Sequence, residues 1–200
     1  FKKFPLEKQV FDRNEELKCG YININCLQDS MSAKFINEDN NLLNLDILAI
    51  ADTRLTSNHS TDTVMNQLNN WKLLNRTDSI DGRGHMGMLL LQSKKSKYLD
   101  KLQHSIFRKQ WDKMVNGQKS DFCQLMTVTL EEHSLKISFI YIRETPSIKQ
   151  LEKILKEIEP SNVIMGDMNL DPSRESDQSK LQLIENHRKC RVLKEITTTH

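Results

Sequence analysis

Short apolar runs rich in β-branched residues recur along the 200-residue chain and predict six β-strands. They cover Leu17–Ile24, Asp46–Ala51, Met86–Gln92, Cys123–Leu130, Leu135–Ile142 and Asn162–Gly166. Several of these runs lack the alternation of apolar and polar residues, which is typical of strands covered on both faces. Only four polar residues separate the fourth run from the fifth. We therefore expect these two strands to form an antiparallel hairpin in a mixed sheet.

Apolar residues spaced three or four positions apart predict helices between some of the strands. The clearest is Ser147–Ile158, where Leu151 and Leu155 belong to one apolar stripe and Ser147 is the expected N-cap. Further helices are expected at Thr61–Asn70, at Asp177–Cys190 and within Met31–Leu45, the last with Phe35, Leu42 and Leu45 on its buried face. This alternation of helices and strands predicts a layered α/β domain.

The composition narrows the class of protein. With 37% hydrophobic and 28% charged residues, the chain resembles globular proteins, and 200 residues fit one domain. Its apolar runs stay well below the ~20 residues that a transmembrane helix needs, so no membrane partner is predicted. The chain begins at Phe1 without a signal-peptide pattern, which indicates a fragment of a larger protein. We interpret residues 1–16 as a lead segment and residues 17–200 as the domain.

Charge and cysteine content add weaker indications. The formal net charge is +2, so no strong positive field over the whole protein indicates a nucleic-acid partner. Local clusters of cations, which are usually solvated but sometimes follow a phosphate backbone, comprise Lys94, Lys95, Lys97, Arg108, Lys109 and Lys113. The four cysteines lack CxxC spacing, which favours buried free thiols over a zinc site or a disulfide framework.

Polar residues of unusual kind stand at or near the ends of four predicted strands. They are Asn23 and Asn25 in the first strand, Asp52 and Arg54 after the second, Tyr141 and Arg143 at the fifth, and Asp167 and Asn169 after the sixth. Taken singly, each has an ordinary explanation, because strand asparagines are usually satisfied core amides and carboxylates after strands usually cap turns. In an open α/β arrangement, however, strand ends at one edge form the usual ligand crevice.

The chemistry of these side chains suits a phosphodiester. Two carboxylates can hold a hard divalent cation such as Mg²⁺ through oxygen, while positions remain open for water and a phosphate oxygen. A spare carboxylate can orient or deprotonate the attacking water, and amide and phenol donors can hold the nonbridging oxygens. We therefore expect a phosphoryl-transfer site if the strand ends meet.

The order and wording of these segments resemble the endonuclease/exonuclease/phosphatase family. The matching segments are NIN at 23–25, LDILAIADTRL at 45–55, LLNRTD at 73–78 followed by GRGHMGMLLL at 82–91, IYIRETP at 140–146 and IMGDMNLDP at 164–172. The GDxN element after an apolar strand is the most specific of them. The resemblance implies a DNase I-like, two-sheet α/β sandwich with mixed sheets and outer helices, and an active site at one edge.

The same resemblance implies roles for individual residues. Asn23 would help to bind phosphate and metal, Asp52 would be the metal-binding acid, Tyr141 would donate to a phosphate oxygen, Asp167 would orient or activate water, and Asn169 would stabilise the transition state. The expected substrate contacts are Arg143, His85, Lys94 and Lys95. The implied cofactor is Mg²⁺, with Mn²⁺ as a substitute.

Two features depart from the family pattern. Asp52 stands where members carry glutamate, so the acid is one methylene shorter, which weakens the cation site or requires a bridging water. The family also ends with a segment that supplies an Asp-His pair, whereas this chain stops at EITTTH. We therefore interpret the domain as lacking its C-terminal catalytic segment.

Three hypotheses about function follow from these observations. Within the family, the DILAIADTRL and GDMNLDP segments are most similar to endonuclease domains of eukaryotic mobile elements, the LINE-type retrotransposons and Helitrons. That similarity implies a DNA-nicking domain of a larger polyprotein that acts inside the cell, in the nucleus. The alternatives are a catalytically impaired domain that binds nucleic acid or protein, and a small-molecule or lipid phosphatase of the same family.

Overall fold

The computed structural model describes residues 17–27, 30–79, 86–96, 98, 107–115, 118–130, 135–158, 161 and 163–188. Their elements, in chain order, are β1 (Cys19–Asn23), α1 (Ser30–Glu38), α2 (Asn40–Leu43), β2 (Ile47–Ala51), α3 (Thr61–Gln67), β3 (Trp71–Thr77), β4 (Met88–Ser93), β5 (Phe107–Val115), β6 (Gln118–Leu130), β7 (Leu135–Ile142), α4 (Ile148–Glu157), β8 (Val163–Asp167) and α5 (Glu175–Arg188). Alternating strands and helices confirm the predicted α/β class.

The strands form two four-stranded sheets, in the orders β1-β2-β4-β3 and β5-β6-β7-β8. Both sheets are mixed, since β1 with β2 and β7 with β8 pair in parallel while the other neighbours pair antiparallel. The register of β6 and β7 begins with Leu130 opposite Leu135, which confirms the predicted hairpin. The two-sheet architecture with flanking helices is therefore the one that the sequence predicted.

The two parallel pairs determine where the polar strand ends lie. Asn23 is opposite Ala51 at the ends of β1 and β2, and Tyr141 is opposite Asp167 near the ends of β7 and β8. The side chain of Asn23 also donates a hydrogen bond to that of Asp167, at 3.4 Å. The carboxyl ends of all four strands therefore lie at one edge of the molecule, which we call the carboxyl edge.

Apolar side chains fill the space between the sheets and the space beneath the helices. In β2, which is buried along its whole length, Ile47 and Ala49 belong to the cluster between the sheets, whereas Leu48 and Ile50 belong to the cluster that includes Ile36 of α1. A third cluster joins α4 and α5 to the outer face of the second sheet. Burial on both faces explains why these strands lack a polar alternation.

One prediction about the buried face of the first helix was wrong. Phe35 is 42% exposed, and Ala33 and Ile36 are buried in its place. The segment is two helices rather than one, because the Asp39 side chain accepts hydrogen bonds from the backbone N–H groups of Asn41 and Leu42 and so begins a new helix. Because the two helices are separate, the spacing of the buried residues in the second helix does not continue into the first. Spacing counted back from Leu42 therefore selects Phe35 instead of Ile36.

Two strands, β3 and β5, were not predicted. Each lies at an edge of its sheet. The sequence of β3, WKLLNRT, is half polar, and most of its side chains are only partly buried. Edge strands covered on one side do not need a continuous apolar run, so hydrophobic patterning detects them poorly.

Two local predictions, the cap of α4 and buried free thiols in two strands, agree with the structure. Ser147 caps α4 as part of a capping box with Gln150. Cys19 and Cys123 are buried free thiols, whereas the free thiol of Cys26 is only partly buried and Cys190 lies outside the described residues. Within the described ranges, no helix is both long and apolar enough to span a bilayer.

Gly166 offers a direct test of the packing beside the carboxyl edge. Its φ is 150°, and a Cβ placed there would collide with the carbonyl oxygen of Ile140. We expect Gly166→Ala to lower the free energy of unfolding by about 3 kcal/mol or more, because backbone strain and overpacking act together. Urea denaturation would measure the change.

Gly20→Ala is the matched control for this experiment. A Cβ on Gly20 would meet the end of the flexible Leu45 side chain instead of backbone. Its cost should therefore be smaller, about 1 to 2 kcal/mol. Equal losses in the two variants would contradict the close backbone approach at Gly166.

Candidate active site at the carboxyl edge

Backbone strain is concentrated at the carboxyl edge. The described residues other than glycine with positive φ are Asn25 (58°), Asp52 (52°), Arg54 (57°), Met86 (73°) and Asn169 (51°). All of them follow the ends of β1, β2 and β8 or precede the start of β4. A left-handed conformation costs these residues about 1 to 3 kcal/mol each, and such strain is common at active sites.

Asp52 is the buried acid that follows β2. It is only 8% exposed, and its Oδ1 accepts a hydrogen bond from the backbone N–H of Met86 at 2.8 Å. Its Oδ2 lies 3.7 Å from Nε of Arg54. The backbone N–H of Arg54 in turn donates to the carbonyl oxygen of Met86. The carboxylate is thus fixed between the end of β2 and the start of β4.

Asn23 and Asp167 connect the two sheets. They lie at the ends of β1 and β8, which are edge strands of different sheets and contact each other. Besides the hydrogen bond from Asn23 to its Oδ2, Asp167 accepts the backbone N–H of Asn169 on Oδ1 at 2.9 Å. The side-chain oxygen of Asn23 accepts the backbone N–H of Asn25 at 3.2 Å. Both side chains are therefore oriented before any substrate binds.

Tyr141 lies among these groups. The pKa of its phenol is raised to about 12, mainly by burial and then by the negative charges of Asp52 and Asp167, against the lowering effects of a hydrogen bond with Asn23 and the charge of Arg143. Both carboxylates are therefore close enough to act on one hydroxyl. At neutral pH this phenol keeps its proton and can donate a hydrogen bond.

A second tyrosine, Tyr21, belongs to the same region, although the sequence analysis did not select it. Its hydroxyl oxygen is buried and lies close to the backbone of Asp167. Burial is the main cause of its strongly raised pKa, and the charge of Asp167 is the next. Tyr21 precedes Asn23 by two positions in β1, so strand periodicity places both side chains on one face. That spacing was the available signal.

Asn169 and Arg143 lie at the same edge. The side-chain nitrogen of Asn169 donates to the carbonyl oxygen of Ile142 at 2.6 Å, and its own carbonyl oxygen accepts from Thr145. Asn169 thus ties the loop after β8 to the end of β7 and supports the Asp167 carboxylate. Arg143 directly follows β7 and is half-buried beside the Tyr141 phenol.

Two of the expected substrate contacts, Lys94 and Lys95, do not join this group. Lys94 and Lys95 follow the far end of β4, whose opposite end, Met88, pairs with Ala51 at the carboxyl edge. Lys94 instead donates from Nζ to the carbonyl oxygen of Asn69 at 2.8 Å. The structure therefore places these two lysines at the opposite edge of the first sheet, away from Asp52.

Two further predictions concern residues whose side chains the structure does not describe. His85 lies outside the described residues. The cluster of Arg108, Lys109 and Lys113 lies on β5, of which only the backbone is described.

Arg76 holds the segment between β2 and α3 in place. Its Nε donates to Asp78 at 2.5 Å, and its terminal nitrogens donate to the carbonyl oxygens of His59 and Thr56, both at 2.8 Å. The side chain is only 11% exposed. The planar guanidinium therefore fixes several points of the loop that follows Asp52.

The oxygen donors at the carboxyl edge fit a hard divalent cation. Asp52, Asp167 and Asn23 supply carboxylate and amide oxygens, which Mg²⁺ and Mn²⁺ prefer. Among the described residues, no group of three or more His, Cys, Asp or Glu side chains is arranged to hold a metal ion. This does not conflict with Mg²⁺, which usually takes one or two carboxylates and keeps several waters.

Comparisons with solved structures place the fold. The chain is similar to an endonuclease/exonuclease/phosphatase family protein from Leptotrichia buccalis, with a TM-score of 0.54 and 15% identity over 86% of this chain and 72% of that chain. It is similar to an AP endonuclease from Leishmania major, with a TM-score of 0.54 and 11% identity over 89% of this chain and 68% of that chain. It is also similar to a β-hairpin deletion mutant of the beta toxin from Staphylococcus aureus, with a TM-score of 0.50 and 13% identity over 85% of this chain and 73% of that chain.

These similarities establish the DNase I-like fold that this group of proteins shares. No protein-family model matches the sequence, and no curated protein matches it. The identities are too low to transfer an activity.

Replacing Arg76 by lysine tests its structural role. Lysine keeps the positive charge but cannot contact Asp78, His59 and Thr56 together. We expect Arg76→Lys to lower the free energy of unfolding by about 2 kcal/mol, and to speed amide hydrogen exchange between Asp52 and Ser60. Arg174→Lys, at an exposed arginine, should change neither quantity. Unchanged exchange in Arg76→Lys would contradict the structural role.

The pKa of Tyr141 predicts a dependence of stability on pH. The folded protein holds the phenolic proton up to about pH 12, whereas an unfolded chain loses it near 10. Stability from this group is therefore complete below pH 10 and is lost as pH rises from 10 to 12. Denaturation of wild type and Tyr141→Phe across this range should show a steeper loss in wild type, and parallel curves would contradict the assigned environment.

Proposed function

We propose that this domain is a divalent-cation-dependent phosphodiesterase that nicks DNA. The observation that carries the proposal is the meeting of Asn23, Asp52, Tyr141 and Asp167, which come from four strands of two sheets and surround one edge. Buried or fixed carboxylates, an amide and a protonated phenol form the set of groups that hydrolysis of a phosphodiester requires.

Asp167 has the position of the group that orients the attacking water. One of its oxygens accepts from Asn169 and the other from Asn23 at 3.4 Å, and each oxygen retains a lone pair for a water molecule. In the reaction, the water oxygen bonds to phosphorus, the bond from phosphorus to the leaving sugar oxygen breaks, and the water proton passes to Asp167. The leaving oxygen takes a proton from solvent.

Tyr141 and Asn23 would bind the nonbridging oxygens of the phosphate. The phenol is protonated at neutral pH and can donate a hydrogen bond, and its pKa, raised to about 12 by burial and then by the nearby carboxylates, keeps it a donor at alkaline pH as well. The amide nitrogen of Asn23 makes only a long bond of 3.4 Å to Asp167, so it can donate to substrate as well. Donors fixed before the reaction stabilise the extra charge of the transition state.

Asp52 would hold the divalent cation, with Asn23 nearby as an oxygen donor. When bound, such an ion neutralises charge on the phosphate oxygens. The role of the protein is to present Oδ2 of Asp52 to the edge while Oδ1 stays bonded to the backbone of Met86.

Two observations support DNA as the substrate. An AP endonuclease is among the proteins of similar fold, and the DILAIADTRL and GDMNLDP segments resemble mobile-element endonucleases. In this proposal the domain acts in the nucleus as a part of a larger polyprotein, and DNA is its partner.

A nicking assay on supercoiled plasmid tests the proposal. With Mg²⁺ or Mn²⁺ we expect conversion to open circles, and none in the presence of a chelator. Asp167→Ala should lower the rate about 10²- to 10⁴-fold, because a general base contributes that much. Tyr141→Phe should lower it about 10²- to 10³-fold, the usual loss for one transition-state donor.

The control and the alternatives have distinct outcomes in this assay. Asp62→Ala removes an exposed carboxylate on α3 and should leave nicking unchanged. Equal nicking by wild type and Asp167→Ala would contradict the proposal. Binding of DNA without nicking would support an interaction module, and release of phosphate from p-nitrophenyl phosphate without nicking would support a phosphatase.

A further inference from the structure

Asp52 already has a cation beside it, the guanidinium of Arg54. Nε of Arg54 lies 3.7 Å from Oδ2 of Asp52, and the two side chains are 33% and 11% exposed. The same guanidinium donates through a terminal nitrogen to the side-chain oxygen of Asn25. Arg54 is therefore held at two points, beside the oxygen that we assign to the divalent ion.

The backbone around this pair is arranged to keep it there. Asn25, Asp52 and Arg54 all have left-handed backbone conformations, with φ between 52° and 58°. The backbone N–H of Arg54 donates to the carbonyl oxygen of Met86 at 2.7 Å, and that of Met86 donates to Asp52. The segment after β2 is therefore not a regular strand, and its backbone conformation keeps the guanidinium beside the carboxylate.

A divalent ion on Oδ2 and a guanidinium beside the same oxygen would repel each other. Because the site is largely buried, this repulsion is stronger than it would be in water. One of the two cations must therefore move when the other binds. The ion would take its place at Oδ2, so the group that moves is Arg54, whose side chain is 33% exposed.

We propose that Arg54 is the internal counter-cation of Asp52 and competes with the divalent ion, so that the free protein binds this ion weakly. The proposal rests on the proposed function and deepens it by assigning a role to Arg54. When the ion binds, the guanidinium turns outward to a phosphate group of the DNA. Guanidinium groups bind phosphate through two parallel hydrogen bonds, so DNA and the divalent ion bind cooperatively.

Binding of Mn²⁺ to the DNA-free protein tests the competition without any catalytic readout. Mn²⁺ prefers the same oxygen ligands as Mg²⁺, and its unbound fraction is measured by electron paramagnetic resonance. We expect Arg54→Gln to lower the Mn²⁺ dissociation constant at least tenfold relative to wild type. Arg54→Lys restores the charge and should return it toward the wild-type value.

A matched control separates this effect from a general change in charge. Arg174→Gln removes one positive charge from an exposed pair with Asp171, and it should leave the Mn²⁺ dissociation constant within twofold of wild type. Asn25→Ala removes the second anchor of the guanidinium and should tighten Mn²⁺ binding by a smaller factor than Arg54→Gln.

Thermal unfolding provides a second measurement and shows whether the variants fold. Without metal, Arg54→Gln should melt at a lower temperature than wild type, because the charge of Asp52 loses its partner. Saturating Mn²⁺ should then raise the melting temperature of Arg54→Gln more than that of wild type, since the rise follows the affinity for the folded state.

The outcomes decide the proposal independently of the nicking assay. Equal or weaker Mn²⁺ binding by Arg54→Gln would overturn it, and so would the absence of binding in both proteins. If Arg54→Gln binds Mn²⁺ more tightly but wild type does not nick plasmid, the competition stands and the proposed function fails. If wild type nicks plasmid but Arg54→Gln binds no better, only the competition fails.

Discussion

The parallel pairing of β1 with β2 and of β7 with β8 is the constraint on which the site depends. Parallel neighbours end at the same edge of a sheet, so the residues at and after their ends lie close together although they are far apart in the sequence. The hydrogen bond between Asn23 and Asp167 then joins the two sheets at that edge. A shift of one residue in either register would turn the polar side chains to the opposite face.

At the carboxyl edge, strained backbone conformations lower the stability of the fold while they orient the side chains of the candidate site. Its loops contain all the described positive φ values outside glycine. By contrast, the central strands β2 and β4 of the first sheet are buried along their whole length. The strain is tolerated because the surrounding core holds these loops, through contacts such as those of Arg76 and of Gln124, whose amide bonds to Gly87 and Asp78 across the gap between the sheets.

Electrostatics at the edge follows from placing two carboxylates beside two phenols. Burial, and after it the negative charges, raise the pKa values of Tyr21 and Tyr141, so both phenols remain neutral donors into the alkaline range. Arg54 balances Asp52, and Arg143 lies beside Tyr141. The net effect is an edge whose carboxylates are partly compensated by arginine in the free protein. This compensation is the basis of the proposal that Arg54 moves away from Asp52 when a divalent cation binds.

The sequence alone determined the α/β class, the six apolar strands, the hairpin and the cap at Ser147, because each depends on local patterns of hydrophobicity, turn residues and spacing. It did not determine the exposure of Phe35, the two polar edge strands, the distance of Lys94 and Lys95 from Asp52, or the presence of Tyr21 beside Asp167. These depend on how distant strands pair and which face each turns inward. Long-range packing decides such features, and the local signals along a chain do not contain it.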